Sequence, residues 1–249
     1  MIGIGMGILR TGRASGSSFA VTDLGSKLKG WYREDKTLAT GVSQWTDKSG
    51  GGNHWTQATG ANQPAFSASG GPNGRACIQG NGSSKKMVGP ALNAVMSTTA
   101  KELYLVMKLN SIATDDATAT NNRAVISDDN GVFYITCRST GPAIQWVHYD
   151  GSLDTTPNAT LAATGSWSRV RIRHDGSSTF VKVGSGTEQT IASGTSSVFT
   201  AAMNLFYNVS TGEYLDADIA EIVFCNAELS GGERSDMDAY HASYFGLTV

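Results

Sequence analysis

The stretch WTDKSGGGNHWTQ, residues 45–57, decides how the chain is read. Two tryptophans and a histidine flank a run of Asp, Ser, Gly and Asn. Such a run suits a sugar-binding loop, a metal loop or a tight turn. Asp47 and Ser49 have short side chains that hydrogen-bond nearby backbone, and Gly50, Gly51 and Gly52 reach conformations other residues resist. Trp45 and Trp55 then become the apolar ends of two strands, and the segment reads as a hairpin whose polar groups serve its own backbone. The competing reading makes it a ligand loop, with Trp55 or His54 stacked on a sugar ring and Asp47 and Asn53 bonding its hydroxyls.

Outward from this turn, period-two alternation recurs. KELYLVMKL (101–109) puts Leu103, Leu105, Met107 and Leu109 on one face, the mark of a half-buried strand. RAVIS and VFYITC are joined through Asp128-Asp129-Asn130-Gly131, and AIQWVHYDG follows as a further strand. WSRVRIRHDG (167–176) sets Val170, Ile172 and His174 against Arg169, Arg171 and Arg173, predicting a strand with a basic outer face. TFVKVG pairs with it, MNLFYNV (203–209) reads as one more strand, and DIAEIVFC (218–225) as the last. One segment has a different period. Ser230, with Glu233 three residues on, has capping-box spacing; Met237, Tyr240 and Tyr244 fall at helical intervals, and Gly246 ends the run. The expected fold is all-β, a two-sheet antiparallel sandwich with a short C-terminal helix.

Composition agrees. Of 249 residues, 40% are hydrophobic, enough for a real core, while only 16% are charged and 30 are glycine. A formal net charge of -2 and a pI near 6.1 give no basic patch to draw nucleic acid or an anionic membrane. Cys77, Cys137 and Cys225 are odd in number and widely spaced. They read as buried apolar residues of a chain made in a reducing cytoplasm. The sequons at Asn81 and Asn158 carry little weight without a secretory route.

The first residues, MIGIGMGILRTGR, lack the charge pattern and apolar length of a signal peptide. Ile2, Ile4, Met6 and Ile8 alternate with glycines, Leu9 follows, and GRASGSS (12–18) resembles a linker. Two readings stay open here: a first strand of the domain, or an arm over residues 1–20 that adds a strand to a neighbouring subunit, leaving 21–249 as the domain.

GWYREDKTLATGVSQWTDKSGGGNHWTQ, Pro64, PNGRACIQGNGS (72–83) and the closing ADIAEIVFCNAELSGGERSDMDAYHASYFGL together carry a resemblance. From about residue 24 to 247 the chain resembles the laminin-G-like, concanavalin A-like jelly-roll domains of bacterial secreted proteins and tailed-bacteriophage virion proteins. The resemblance implies two packed antiparallel sheets. Such folds serve glycan binding, glycan cleavage, adhesion and scaffolding alike, so fold does not choose among them.

For glycan binding the candidates are Asp47, Asn53, His54 and Trp55, with Tyr149 from the Trp146-Val-His148-Tyr149-Asp150 patch. For catalysis, Asp216-Ala-Asp218-Ile-Ala-Glu221 is similar to the acidic strand of retaining β-glucanases, whose outer carboxyls stand about 5 to 5.5 Å apart. An Asp in the first position withdraws the nucleophile by a methylene, and Glu221 is expected to bond backbone or an arginine instead. The four histidines, His54, His148, His174 and His241, show no paired spacing, so no zinc site is expected. Asp128 to Gly131 is too short to supply a calcium shell alone. No cofactor is expected; calcium held between loops, as in some laminin-G relatives, stays open.

The resulting expectation is a non-enzymatic structural virion protein of a bacteriophage: a capsid decoration, head fibre or tail component. It is made in the host cytoplasm, homo-oligomeric, anchored on other virion proteins by Ile2, Ile4, Met6, Ile8 and Leu9, and able to contact a host surface glycan. The alternatives are a carbohydrate-binding adhesin module or a glycoside hydrolase of the concanavalin A-like superfamily.

Overall fold

A computed structural model describes residues 19–34, 41–96, 100–111, 123–130, 133–138, 143–149, 153–155, 159–192 and 200–249. The arm residues Ile2, Ile4, Met6, Ile8 and Leu9, the 12–18 segment and Asp150 fall outside these, as do the side chains of Trp146, His148 and Tyr149.

In chain order the strands are β1 (Leu28–Arg33), β2 (Gln44–Trp45), β3 (Trp55–Thr56), β4 (Ala65–Ser67), β5 (Cys77–Gln79), β6 (Met87–Ala91), β7 (Lys101–Leu109), β8 (Arg123–Asp128), β9 (Phe133–Arg138) and β10 (Ala143–Tyr149). They continue as β11 (Leu153–Thr155), β12 (Ala159–Thr160), β13 (Trp167–His174), β14 (Ser178–Val183), β15 (Gln189–Ala192), β16 (Ala202–Leu205), β17 (Tyr207–Asn208), β18 (Glu213–Tyr214) and β19 (Ala217–Cys225). One turn of helix, α1 (Leu92–Val95), interrupts them, and α2 (Gly231–Phe245) ends them.

The first sheet runs β15-β14-β13-β7-β19-β5-β4, with β1 also against β19; the second runs β11-β10-β9-β8-β16-β6-β3-β2, with β12 on β10. Strands pair antiparallel throughout, and the fold is an all-β sandwich. Its core interleaves Leu103, Leu105, Met107, Val170, Ile172, Ile219, Ile222 and Phe224 of the first sheet with Ile126, Ile135, Ile144, Met203 and Leu205 of the second. The inward set expected for residues 101–109 is therefore the observed one.

The alternation reading is incomplete on the other face of the first sheet. Glu102, Tyr104, Val106, Arg169 and Glu221 are buried there as well, because α2 and the turn Val21–Lys27 lie across it. Ser230 caps α2 through Glu233, and Gly246, with φ of 67°, closes it in the left-handed conformation that glycine tolerates. Its buried stripe is Met237, His241 and Phe245, one turn apart, so Tyr240 and Tyr244 stand at its flank. Removing Met237 and Phe245 from water contributes about 1.5–3 kcal/mol each.

Two expectations are corrected. Arg169, Arg171 and Arg173 do not form a solvated basic face. Arg169 is buried against Asp238 and over the Tyr104 ring, while Arg171 and Arg173 each reach Glu188 at 2.9 Å. The segment 203–209 is not one strand either. Phe206 takes φ of 62° and is fully buried, so the chain turns there from β16 into the small β17–β18 hairpin.

Candidate functional site

The 45–57 segment is a turn between β2 and β3, with Trp45 paired directly opposite Trp55. Both indoles are buried, Trp55 fully, and Tyr32 packs between them at ring separations of 5.7 and 6.0 Å. A ring enclosed in this way has no face for a sugar, which corrects the assignment of Trp55 as a stacking residue. Asp47 is committed too. Its Oδ1 accepts from the backbone N–H of Trp31 (3.0 Å) and Ser49 (2.8 Å), and its Oδ2 from the Ser49 hydroxyl (2.9 Å) and the Asn53 N–H (3.0 Å). A carboxylate with that many donors has little left for a ligand, so Asp47 is corrected to a turn-closing residue.

Asn53 donates its amide to Lys29 O at 2.9 Å, and Tyr32 donates its hydroxyl to Asn53 O. His54 Nδ1 accepts from the Asp47 N–H at 3.0 Å, leaving Nε2 to carry the ring proton. Asp47, Asn53 and His54 thus meet in one turn pinned to β1, Trp55 lies in the core beneath it, and the Tyr149 side chain is outside the described residues.

The acidic strand is equally engaged. Asp216 accepts from Asn110 and Ser111; Asp218 accepts from Asn110 and Gln79 and pairs with Lys108 at 2.7 Å. A bulge between Ile219 and Glu221 turns Ala220 and Glu221 both toward α2. There Glu221, 1% exposed, accepts from Trp31 Nε1 (2.9 Å) and Tyr240 Oη (2.5 Å) and meets His241 Nε2 at 2.9 Å. Its expected partners, backbone or arginine, are replaced by three aromatic side chains. Burial, then nearby Glu221, raises Tyr240 above the ordinary phenol range, keeping its hydroxyl a donor. Burial lowers His241, against the pull of Glu221. Among the described residues no group of three or more His, Cys, Asp or Glu could hold a metal ion.

Beside this carboxylate opens a cleft of about 590 Å³ between the N-terminal turn, β1 and α2. Trp31 and Arg33 reach it because alternate residues of β1 share the outer face, with Tyr32 turned into the core. Tyr240 and Tyr244 reach it from the flank of α2, their rings stacked at 5.7 Å. Arg75 enters from the turn Pro72–Gly74, where its Nε and the Asn73 amide both donate to Tyr244 O, one of the carbonyls a helix end leaves over. Arg33 Nη1 donates to Tyr240 Oη at 2.7 Å. The Arg33 guanidinium lies 5.0 Å from the Trp31 ring centre and 4.3 Å from that of Tyr244; Arg75 lies 4.0 Å from Tyr244. Asp236 and Ser243 of α2 also line it, with Phe19, Ala20 and Val21 on the N-terminal side.

None of these residues was singled out by sequence reading as a site. A signal existed: Trp31 and Arg33 two apart on one strand, and AYHASYF repeating aromatics at helical spacing. Its meaning depended on α2 crossing β1, which no local pattern states.

No protein-family model matches the chain, and no curated protein matches it. Solved structures do match in fold. Domain 4 of AbnA, a GH43 extracellular arabinanase from Geobacillus stearothermophilus, solved with arabinotriose, is 13% identical with a TM-score of 0.58, over 85% of this chain and 98% of that one. Trypanosoma rangeli sialidase is 10% identical with a TM-score of 0.58, over 88% of this chain and 33% of the sialidase. The receptor binding domain of botulinum neurotoxin mosaic serotype C/D is 11% identical with a TM-score of 0.60, over 90% of this chain and 52% of that one. The chain therefore spans nearly all of the arabinanase domain, but a third of the sialidase and about half of the toxin domain. At such identities the likeness is one of fold.

Proposed function

We propose that the chain is a carbohydrate-recognition module that acts by binding and not by turnover, with the Trp31–Arg33–Tyr240–Tyr244–Arg75 cleft as its site. The observation that carries this is the cleft itself: about 590 Å³, walled by aromatic side chains and furnished with fixed hydrogen-bonding groups, the usual make-up and size of a small-molecule site. The solved arabinanase domain holding arabinotriose supports the choice of ligand class by analogy of fold. The commitments of Asp216, Asp218 and Glu221 to neighbouring side chains support a role without catalysis.

The test is a glycan array probed with the full chain and with Ser243→Trp. Ser243 is an exposed α2 residue on the rim, so the indole obstructs the cleft without disturbing the core. Retention of glycans by the parent chain and their loss by the variant is the expected result. No retained glycan, or equal retention by both, contradicts the reading.

A second reading, a structural component of a phage virion, is favoured by one sequence observation: Ile2, Ile4, Met6 and Ile8 alternate with glycine, which suits strand addition to a neighbour. Light scattering on the full chain and on Ile4→Asp/Ile8→Asp separates it. An oligomer that the double change dissociates supports anchoring through this segment; an unchanged mass removes it.

A further inference from the structure

The buried Glu221 links the first sheet to α2. Its Oε1 takes the indole N–H of Trp31 and the hydroxyl of Tyr240, and its Oε2 meets Nε2 of the fully buried His241 at 2.9 Å. An ionised carboxylate only accepts, so Nε2 carries the ring proton and Nδ1 presents a lone pair. That Nδ1 is buried and has no hydrogen-bond partner among the described residues. It is the atom of the ring at which a further proton lands.

The surroundings decide what such a proton does. Glu221 of β19 and Asp238 of α2 favour it, while Arg169 of β13 opposes it. Tyr104 of β7, with Tyr240 and Phe245 of α2, encloses the ring at centroid separations of 5.6, 5.1 and 6.1 Å. Both tyrosine hydroxyls are already spent, on Glu102 and on Glu221. Burial outweighs the two carboxylates and holds the ring below its ordinary imidazole value. A proton on Nδ1 therefore creates a buried, charged N–H with no acceptor, and lifting the ring to solvent relieves it.

Lifting α2 does not require opening the sandwich. The main core draws no buried side chain from α2 among the described residues; Met237 and Phe245 pack in two separate clusters on the outer face of the first sheet. A helix seated on satellite clusters can open as its own unit, below the free energy of global unfolding. The cleft goes with it, since Tyr240 and Tyr244 form its α2 wall.

We propose that α2 is an acid-released strap with His241 as its trigger: one proton taken up at Nδ1 frees the helix from the first sheet and dissolves the cleft, releasing its ligand. The release of ligand rests on the carbohydrate reading above; the undocking of α2 does not. Undocked, the ring is solvated and titrates near pH 6.5, whereas docked it resists the proton to lower pH. Docking is thus at full strength above about pH 6.5, and the docked-to-undocked ratio falls by up to about tenfold per pH unit below it.

The experiment is hydrogen–deuterium exchange of the full chain, read by mass spectrometry at pH 7, 6 and 5 and corrected for intrinsic exchange rates, with the His241 ring titrated by proton NMR in the same buffers. Expected is a loss of protection over residues 233–245 of about tenfold or more between pH 7 and pH 5, tracking the ring titration, with residues 103–107 of β7 unchanged. His241→Gln removes the pH dependence; if that variant does not fold, the match between exchange and ring titration in the parent decides the matter. Protection of α2 that stays constant while His241 titrates, or that falls in step with β7, overturns the strap. Affinity for a glycan retained on the array, measured at pH 7 and pH 5, tests the release: about tenfold weaker binding at pH 5 supports it, and equal binding with α2 protection lost overturns it. A chain that retains no glycan overturns the carbohydrate reading, and the exchange result alone then decides the strap.

Discussion

The indole Nε1 of Trp31 donates to Oε1 of the buried Glu221 at 2.9 Å, and the Tyr240 hydroxyl reaches the same oxygen at 2.5 Å. Two walls of the cleft, one on β1 and one on α2, are therefore tied to one carboxylate of β19. Glu221→Ala leaves two buried donors and His241 without their acceptor, at a cost of about 2–4 kcal/mol. Urea unfolding measures it. Ligand affinity falls in the same variant, since Tyr240 no longer holds Arg33. A loss below about 0.5 kcal/mol would mean that the carboxylate organises nothing.

Asp47 closes the 45–57 turn with four hydrogen bonds, one of them to the backbone of Trp31. Asp47→Ala is expected to destabilise by roughly 2–4 kcal/mol, whereas Asp47→Asn, which keeps an acceptor oxygen, costs less. Thermal melts of both variants order them. The reverse order, or no loss in either, would sink the turn-closing role.

Gly89 lies on β6 directly over Trp55: a Cβ there would stand 2.5 Å from the Trp55 ring. With the indole fully buried, the ring has nowhere to yield. Gly89→Ala is expected to cost at least ~1–3 kcal/mol by overpacking. An Ala variant as stable as the parent would show that this core is looser than its packing implies.

His241 is buried and held below its ordinary imidazole value, first by burial. The unfolded chain takes up a proton near pH 6.5 while the folded one resists until lower pH. Stability contributed by the neutral ring is therefore complete above about pH 6.5 and declines as pH falls through the window below it, at up to ~1.4 kcal/mol per pH unit. His241→Gln, which retains a polar group toward Glu221, should flatten the profile by up to one proton between pH 6.5 and 5. Denaturant midpoints across that range read it, and an unchanged slope contradicts the assignment.

The sandwich was legible because period-two alternation is local: Leu103, Leu105 and Met107 announce an inward face whatever covers the other. The C-terminal helix was legible through Ser230, Glu233 and Gly246 for the same reason. Its buried stripe was not. Sequence spacing favoured Met237, Tyr240 and Tyr244, but the face that meets the sheet carries Met237, His241 and Phe245, a choice made by where α2 lands on β7, β13 and β19. That landing also buries Arg169 and creates the cleft. The 45–57 turn shows the converse: Asp47, Asn53 and His54 have the residue types of a ligand loop, yet their hydrogen bonds close on β1 and on one another. Asp47 thereby supports the backbone of Trp31, Asn53 that of Lys29, and His54 that of Asp47.

The most direct measurement is backbone amide chemical-shift mapping of the full chain during titration with a glycan that the array retains. Perturbations centred on Trp31, Arg33, Arg75, Tyr240 and Tyr244, and absent in Ser243→Trp, are the result predicted. Perturbations confined to the second sheet or to the 45–57 turn, with the cleft residues unmoved, would place recognition elsewhere and contradict the account.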